Sequence, residues 1–408
     1  ITRAAAEKGE AVEIERLLEL DGQSRALIGA AEEKKAERNK ISEEIARLKR
    51  EGGDADGLIT EMRELSSEIK GDDATLAELK ADVDNLLKWV PNIPHESVPV
   101  GKDESANEPV RSWGEAPPFD FDPKNHTDLA ESLGLVDFLR GAKISGSGFP
   151  LYTGAGARLE RALINFMIDH HVSRGYGEVM TPFVTLPSSM EATGQIPKLE
   201  EDMYHVEKDD LYLIPTAEVP VTNIHRGEIL KGEDLPIRYT AYSPCFRREA
   251  GSYGKETRGL LRIHQFNKVE MVKFVRPEDS YSELESLTAD AESVLQSLGL
   301  HYRVISLCTG DLSFAAAKCY DLEGWAPGEG RWLEVSSCSN FESFQARRGN
   351  IRYRREDDKK VEFIHTLNGS GVATPRLLVA LLETYQNEDG SITVPKPLQP
   401  YVGAEVLH

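Results

Sequence analysis

Cysteine is scarce in this chain: there are four in 408 residues, Cys245, Cys308, Cys319 and Cys338, and none form a C-x-x-C pair. That excludes a disulfide scaffold and a structural zinc site built on paired cysteines, and it predicts a reduced, cytoplasmic protein. Long apolar runs are missing too. The longest, Leu377-Leu378-Val379-Ala380-Leu381-Leu382, is core-sized, well short of the ~20 residues a membrane helix needs. No signal-peptide stretch opens the chain, and its start at Ile1 instead of Met predicts a short segment ahead of it. Positive charge is in deficit. A net charge of -21 repels a phosphate backbone overall, which excludes indiscriminate nucleic-acid binding. The glycine-rich turns of Rossmann and P-loop nucleotide sites are also absent.

Proline is missing from residues 1–88, and aromatics there are few. What that segment has is 3-4 spacing. Leu27, Ala31, Lys34, Arg38, Ile41, Ile45 and Leu48 form one stripe; Met62, Leu65, Ile69, Leu76, Leu79, Val83 and Leu86 form another, interrupted by Asp72. Such spacing makes a narrow seam for a partner helix. Between the stripes, Glu51-Gly52-Gly53-Asp54-Ala55-Asp56-Gly57 breaks the helix and turns the chain. The segment therefore predicts an antiparallel helical hairpin, with Lys34 and Arg38 weakening its seam. It also holds a basic stripe: seven Lys and Arg from Lys34 to Arg50 (Lys34, Lys35, Arg38, Lys40, Arg47, Lys49, Arg50) against three Glu. From charge alone, the stripe reads as a solvated helix face laced with ion pairs.

Val90-Pro91-Asn92-Ile93-Pro94-His95 ends the second helix and starts an extended linker. From about residue 110 the composition shifts to glycine, proline and aromatics. Alternating segments such as Leu211-Tyr212-Leu213-Ile214 and Lys268-Val269-Glu270-Met271-Val272 predict strands, and residues 158–173 and 280–297 predict helices. The class is α+β with an antiparallel sheet. Pro395-Lys396-Pro397-Leu398-Gln399-Pro400-Tyr401 reads as an extended closing segment.

Cys245-Phe246-Arg247-Arg248-Glu249, a loop with Gly251, Gly254 and Gly259, then Arg262, Phe266 and Glu270 read strand, loop, strand. Arginine grips phosphate with a planar fork that never loses its charge, and an aromatic face suits a stacked purine. This predicts a nucleotide site on antiparallel strands. Arg376 opens an apolar helix, where phosphate charge is welcome. Cys245 and Cys338 read as packing residues, and His264 as structural.

These segments resemble the conserved motifs of class II aminoacyl-tRNA synthetases. The arginine strand resembles motif 2, Gly177-Glu178-Val179-Met180-Thr181-Pro182 resembles motif 1, and Asn368-Gly369-Ser370-Gly371 with Pro375-Arg376 resembles motif 3. Pro375 stands where family members often carry glycine, and proline is well tolerated at a first helical turn. Thr216-Ala217-Glu218, Glu334-Val335-Ser336-Ser337-Cys338-Ser339-Asn340-Phe341 and Phe344-Gln345-Ala346-Arg347-Arg348 narrow the resemblance to the seryl-tRNA synthetases of bacterial type. The hairpin and Pro91-Asn92-Ile93-Pro94-His95 agree, so the likeness covers essentially the whole chain.

The resemblance implies an arm with linker over residues 1–100 and a class II catalytic domain over 101–408. It implies formation of seryl-adenylate from L-serine and ATP, then transfer to the 3′ end of tRNA(Ser) and tRNA(Sec). Arg247 and Arg376 would be the catalytic pair, on the α- and γ-phosphates. Serine would meet Thr216, Ala217, Glu218, Arg247, Glu270, Asn368 and Ser370. ATP would meet Arg247, Arg248, Glu249, Arg262, Phe266, Glu334, Val335, Ser336, Ser337 and Arg376. Phe266 would stack on adenine and Glu249 accept from its amine, with Mg²⁺ on Glu334 and Ser337. The loop of residues 250–261, with Lys255 and Arg258, would touch ATP and then the tRNA acceptor end. The arm would grip tRNA through Lys34, Lys35, Arg38, Lys40, Arg47 and Lys49, across a homodimer from the active site. Two alternatives are disfavoured: a serine-activating ligase that loads a carrier protein, since such relatives lack the full hairpin, and a coiled-coil interaction protein with a degenerate core, since Arg247, Glu249, Glu334 and Arg376 are intact.

Overall fold

The structure, a computed structural model, describes residues 1–250 and 258–408. Gly251, Gly254 and Lys255 of the expected loop lie outside the described residues. Two compact units emerge: Thr2–Ala6 with Glu10–Val90, and Pro91–His408 with residues 1 and 7–9.

The first unit is a helical hairpin of α1 (Ile14–Glu51) and α2 (Asp56–Leu87). Helix α1 ends at Gly52, whose φ of 73° closes the last turn by an N–H bond to Leu48 O. At 1.5 Å per residue its 38 residues reach about 57 Å. Ala31, Ile41, Ile45 and Ile69 are buried in the seam. The expected weak point at Lys34 is matched by the interruption on the other helix. Lys34 Nζ lies 2.9 Å from Asp72 Oδ2 and 3.1 Å from Glu68 Oε2. These neighbours raise the lysine's pKa, the Asp72 hydrogen bond most. Two polar residues that each spoil an apolar stripe thus meet across it, which fixes the register of the pair.

In the second unit, the described residues form an eight-stranded sheet. Its strands are β1 (Glu108–Trp113), β2 (Gly177–Glu178), β3 (Ile237–Phe246), β4 (Gln265–Val275), β5 (Tyr302–Ser306), β6 (Lys318–Ala326), β7 (Arg331–Asn340) and β8 (His365–Ala373). They lie in the order β1-β5-β6-β7-β8-β4-β3-β2. Every neighbouring pair is antiparallel except β2 with β3. Among the helices that supply residues to the core or the site are α3 (His126–Ser132), α4 (Gly154–Ser173), α5 (Ser280–Ser297) and α6 (Thr374–Thr384).

Alternation along β4 assigns its two faces. Val269, Met271 and Val275 enter the main core with Leu163 and Met167 of α4, Leu284 and Leu287 of α5, and Leu377 and Leu381 of α6. Phe266, Lys268 and Glu270 take the other parity. One residue on the helix-facing side is charged: Lys273, fully buried, donates 2.8 Å to Glu283 Oε2 of α5.

The C-terminus differs from the expected extended segment. Lys396–Leu398 is a 3₁₀ turn and Gln399–Val402 a helical turn. Leu398 and Val402, four residues apart, are both buried in the main core, so one helical turn seats both side chains. The prolines suggested extension, and burial decided otherwise. The Pro91–His95 stretch is pinned within the second unit: Asn92 Nδ2 donates 2.8 Å to both Ala315 O and Phe341 O, and His95 N donates 2.9 Å to Ala317 O.

Candidate active site

Adjacent strands bring the chemistry together. Glu270 of β4 faces Ala241 of β3 and Ser370 of β8, and Asn368 of β8 faces Ser339 of β7. A shift in register between Lys268 and Glu270 turns this part of β4. Over the strands lies a cavity of about 670 Å³. Thr216, Glu218, Lys268, Asn368 and Ser370 line one part, and Arg247, Glu249, Arg262, Phe266, Glu334, Ser337 and Arg376 another.

At the first end, polar groups form a closed network. Thr216 Oγ1 donates 3.0 Å to Glu270 Oε2 and accepts 2.9 Å from Lys268 Nζ. Lys268 Nζ also pairs with Glu270 Oε2 at 2.5 Å, while Asn368 Nδ2 donates 2.9 Å to Glu270 Oε1. Glu218 Oε1 accepts 2.6 Å from Gln345 Nε2, whose own oxygen accepts 2.8 Å from Thr366 Oγ1. Burial first, and then the charge of Glu270, push the Glu218 carboxyl up to about 7. Two carboxylates, a hydroxyl and an amide together suit a small molecule bearing an ammonium and a hydroxyl.

Ser370 is set by its backbone. Ser336 Oγ donates 2.6 Å to Ser370 O, and the buried His171 ring lies with Nε2 2.9 Å from Gly371 O. A Cβ on Gly371 would come within 2.3 Å of that nitrogen, so the close approach of the ring to β8 requires glycine.

At the second end, the Arg247 guanidinium lies over the Phe266 ring, 5.2 Å from its centroid, and its Nε donates 3.3 Å to Pro215 O. Glu249, at φ 52°, pairs with Arg262. Arg376, near the start of α6, donates from Nε to Leu261 O at 3.2 Å and from Nη1 to Glu334 Oε2 at 3.2 Å. Glu334 and Ser337 offer hard oxygen donors beside Asp321. Burial, and then the charge of Glu334, push the Asp321 carboxyl well above the usual carboxylate range. Carboxylate and hydroxyl oxygens of this kind are the hard donors that a divalent ion such as Mg²⁺ takes, beside the cation of Arg376.

Most of the nominated serine and nucleotide residues, Val335 included, thus line one cavity. Ala217, Arg248, Glu270 and Ser336 do not line it. Arg248 is exposed and bonds through its backbone N–H to Asp202 O at 2.8 Å. Glu270 is fully buried beneath Thr216, Lys268 and Asn368. Sequence reasoning missed Lys268, Gln345 and Asp321. Lys268 was detectable, since it shares strand parity with Phe266 and Glu270. Gln345 and Asp321 reach the site only through the fold. On the arm, Lys34, Lys35 and Arg47 are engaged in ion pairs with Asp72, Asp73 and Glu44. Arg38, Lys40 and Lys49 have no ion pair among the described residues. Cys245, Cys308, Cys319 and Cys338 are free and buried. No helix of the described residues is long and apolar enough to cross a membrane.

An antiparallel sheet that sets arginines from a strand hairpin and a helix start around one cavity defines a class II aminoacyl-tRNA synthetase core. Accordingly, residues 201–385 match the tRNA synthetase class II core domain (G, H, P, S and T). Residues 1–94 match the seryl-tRNA synthetase N-terminal domain. The chain is 57% identical to a serine--tRNA ligase of Thermodesulfovibrio yellowstonii, covering 100% of this chain and 97% of that protein. It is 58% identical to one from Geobacillus kaustophilus, covering 97% and 93%. The crystal structure of seryl-tRNA synthetase from Pyrococcus horikoshii complexed with ATP superposes with a TM-score of 0.92 at 40% identity, covering 99% of this chain and 96% of that one. This chain belongs to the seryl-tRNA synthetase family.

Proposed function

We propose that this protein joins L-serine to tRNA in two steps within the cavity above the sheet. The serine carboxylate attacks the α-phosphorus of ATP in line, forming seryl-adenylate and releasing pyrophosphate. The 3′-hydroxyl of the terminal tRNA adenosine then attacks the activated carbonyl and AMP leaves. Neither step needs a protein nucleophile; positioning and charge neutralisation supply the acceleration. The burial of all four cysteines is consistent with this.

The observation that carries the reading is a single cavity lined both by the Thr216, Glu218, Asn368 and Ser370 set and by Arg247, Phe266 and Arg376. The first set suits the serine ammonium and hydroxyl, with Glu270 acting through the residues above it. Arg247 would take the α-phosphate, Arg376 the γ-phosphate, and Phe266 the adenine. Glu334 and Ser337 would hold Mg²⁺, which on binding with ATP neutralises phosphate charge. A site that hydrogen-bonds a hydroxyl rejects alanine, because the wrong ligand leaves buried groups unpaired.

The acceptor is tRNA(Ser), with tRNA(Sec) as a second substrate, gripped along the helical arm by backbone and shape. The enzyme works as a cytoplasmic homodimer. Met180, within the motif 1 segment, and Leu186, just after it, are exposed and offer apolar side chains to a second copy. Amino-acid-dependent ATP–pyrophosphate exchange across all twenty amino acids, without tRNA, tests the core of the reading. Exchange with serine alone is the expected result; exchange with another amino acid, or none from folded protein, refutes it.

A further inference from the structure

We infer that His126 is a positioning residue for the segment Arg258–Arg262, acting as a hydrogen-bond acceptor held in one tautomer by Glu383 and Glu329. The inference rests on the nucleotide site proposed above. His126 opens α3 and is fully buried. Its Nδ1 lies 3.3 Å from Glu383 Oε1 and 3.2 Å from Glu329 Oε1. Its backbone N–H donates 2.8 Å to the same Glu383 oxygen. The other Glu383 oxygen accepts from the N–H groups of Gly328 and Glu329 at 2.9 and 3.0 Å. Every acceptor position around Nδ1 therefore favours a proton on that nitrogen.

The far nitrogen is then an acceptor: Leu260 N–H donates to it at 3.2 Å, and Thr127 Oγ1 lies 3.4 Å from it. Leu260 lies five residues ahead of β4. One residue before it, Gly259 sits at φ 64°, where a Cβ would come within 2.2 Å of His126 Nε2, so the backbone presses directly on the ring. One residue after it, Leu261 O accepts from Arg376 Nε; the next residue, Arg262, pairs with Glu249. Ala250, after β3, is held separately, with Asp202 Oδ1 accepting 2.7 Å from its N–H. Glu383 sits on α6, the helix that carries Arg376. The imidazole thus ties Gly259 and Leu260 to the helix that presents the second arginine.

The same three side chains could be read as a metal site, since their ligand atoms lie within 4.8 Å of one another. A metal on Nδ1 would move the ring proton to Nε2, facing the Leu260 N–H donor-to-donor. The Leu260 contact argues against that arrangement.

Two substitutions separate the roles. His126→Gln places an amide oxygen near the Nε2 position and keeps an acceptor for Leu260; His126→Asn reaches only the Nδ1 position. In serine-dependent pyrophosphate exchange, His126→Asn should raise KM for ATP roughly 10- to 100-fold, the scale of a buried donor left unpaired. His126→Gln should restore most of it. Amide hydrogen exchange in residues 258–262 should quicken in the Asn variant and not in the Gln variant, a readout independent of activity. Equal behaviour of the two variants by both measures would overturn the proposal, as would a tightly held equimolar metal in the wild-type protein. Absence of exchange activity in the wild type would instead refute the functional reading while leaving the amide test intact.

Discussion

Glu218 gives the sharpest prediction. Its carboxyl is buried, stands near Glu270, and ionises at about 7 instead of 4.5. Holding it ionised in place therefore costs about 3 kcal/mol, at 1.36 kcal/mol per pH unit. The raised value means that the cost is absent below pH 4.5 and complete above about 7, so folded-state stability falls as pH rises through that window. Serine carries its ammonium throughout, and only ionised Glu218 attracts it. With a titration near 7, the ionised fraction in the free enzyme rises from about one in eleven at pH 6 to about ten in eleven at pH 8. The kcat/KM for serine in pyrophosphate exchange should then rise about tenfold between those two values, on a single ascending limb. In Glu218→Gln the limb should vanish and kcat/KM fall at all pH values, while denaturation at pH 8 should show a gain in stability. An ascending limb of unchanged midpoint in the Gln variant would refute the assignment.

Lys268→Met removes the ammonium that Thr216 and Glu270 share and leaves a fully buried carboxylate without its cation. Destabilisation of about 3 kcal/mol in chemical denaturation is expected, with serine exchange reduced at least tenfold; wild-type stability and activity would show that Lys268 has no part in the site. Deleting residues 30–80 should leave serine-dependent exchange intact and abolish tRNA charging, and a collapse of exchange would contradict the division between arm and core. Within the arm, reversing Arg38, Lys40 and Lys49 to Glu should raise KM for tRNA and lessen its salt dependence. The same change at Lys35, already paired with Asp73, should do less, and equal effects would show that the intra-arm pairs do not compete with RNA.

Sequence alone determined the components. The two stripes and the glycine turn between them specified a helical hairpin, because seam spacing and helix breaking are local properties of the chain. Strand alternation in residues 265–275 specified which side chains share a face, and the arginines, Phe266 and the acidic residues declared the chemistry of the site. Partnership was decided only by tertiary structure. Lys34 and Asp72 each look like a flaw in their own helix and become one ion pair when the helices pack. Glu270 reads as a ligand, yet folding places it beneath Lys268 and Thr216, and Gln345 reaches Glu218 from a segment more than a hundred residues away. Pro395 to Tyr401 has the composition of an extended tail and turns helical because two apolar side chains four residues apart share one core. His126, unremarked in sequence, gains its role from a backbone N–H and two carboxylates that come from three distant segments. Local pattern fixes a residue's type and face, but burial and long-range contact determine what that residue touches, and hence what it does.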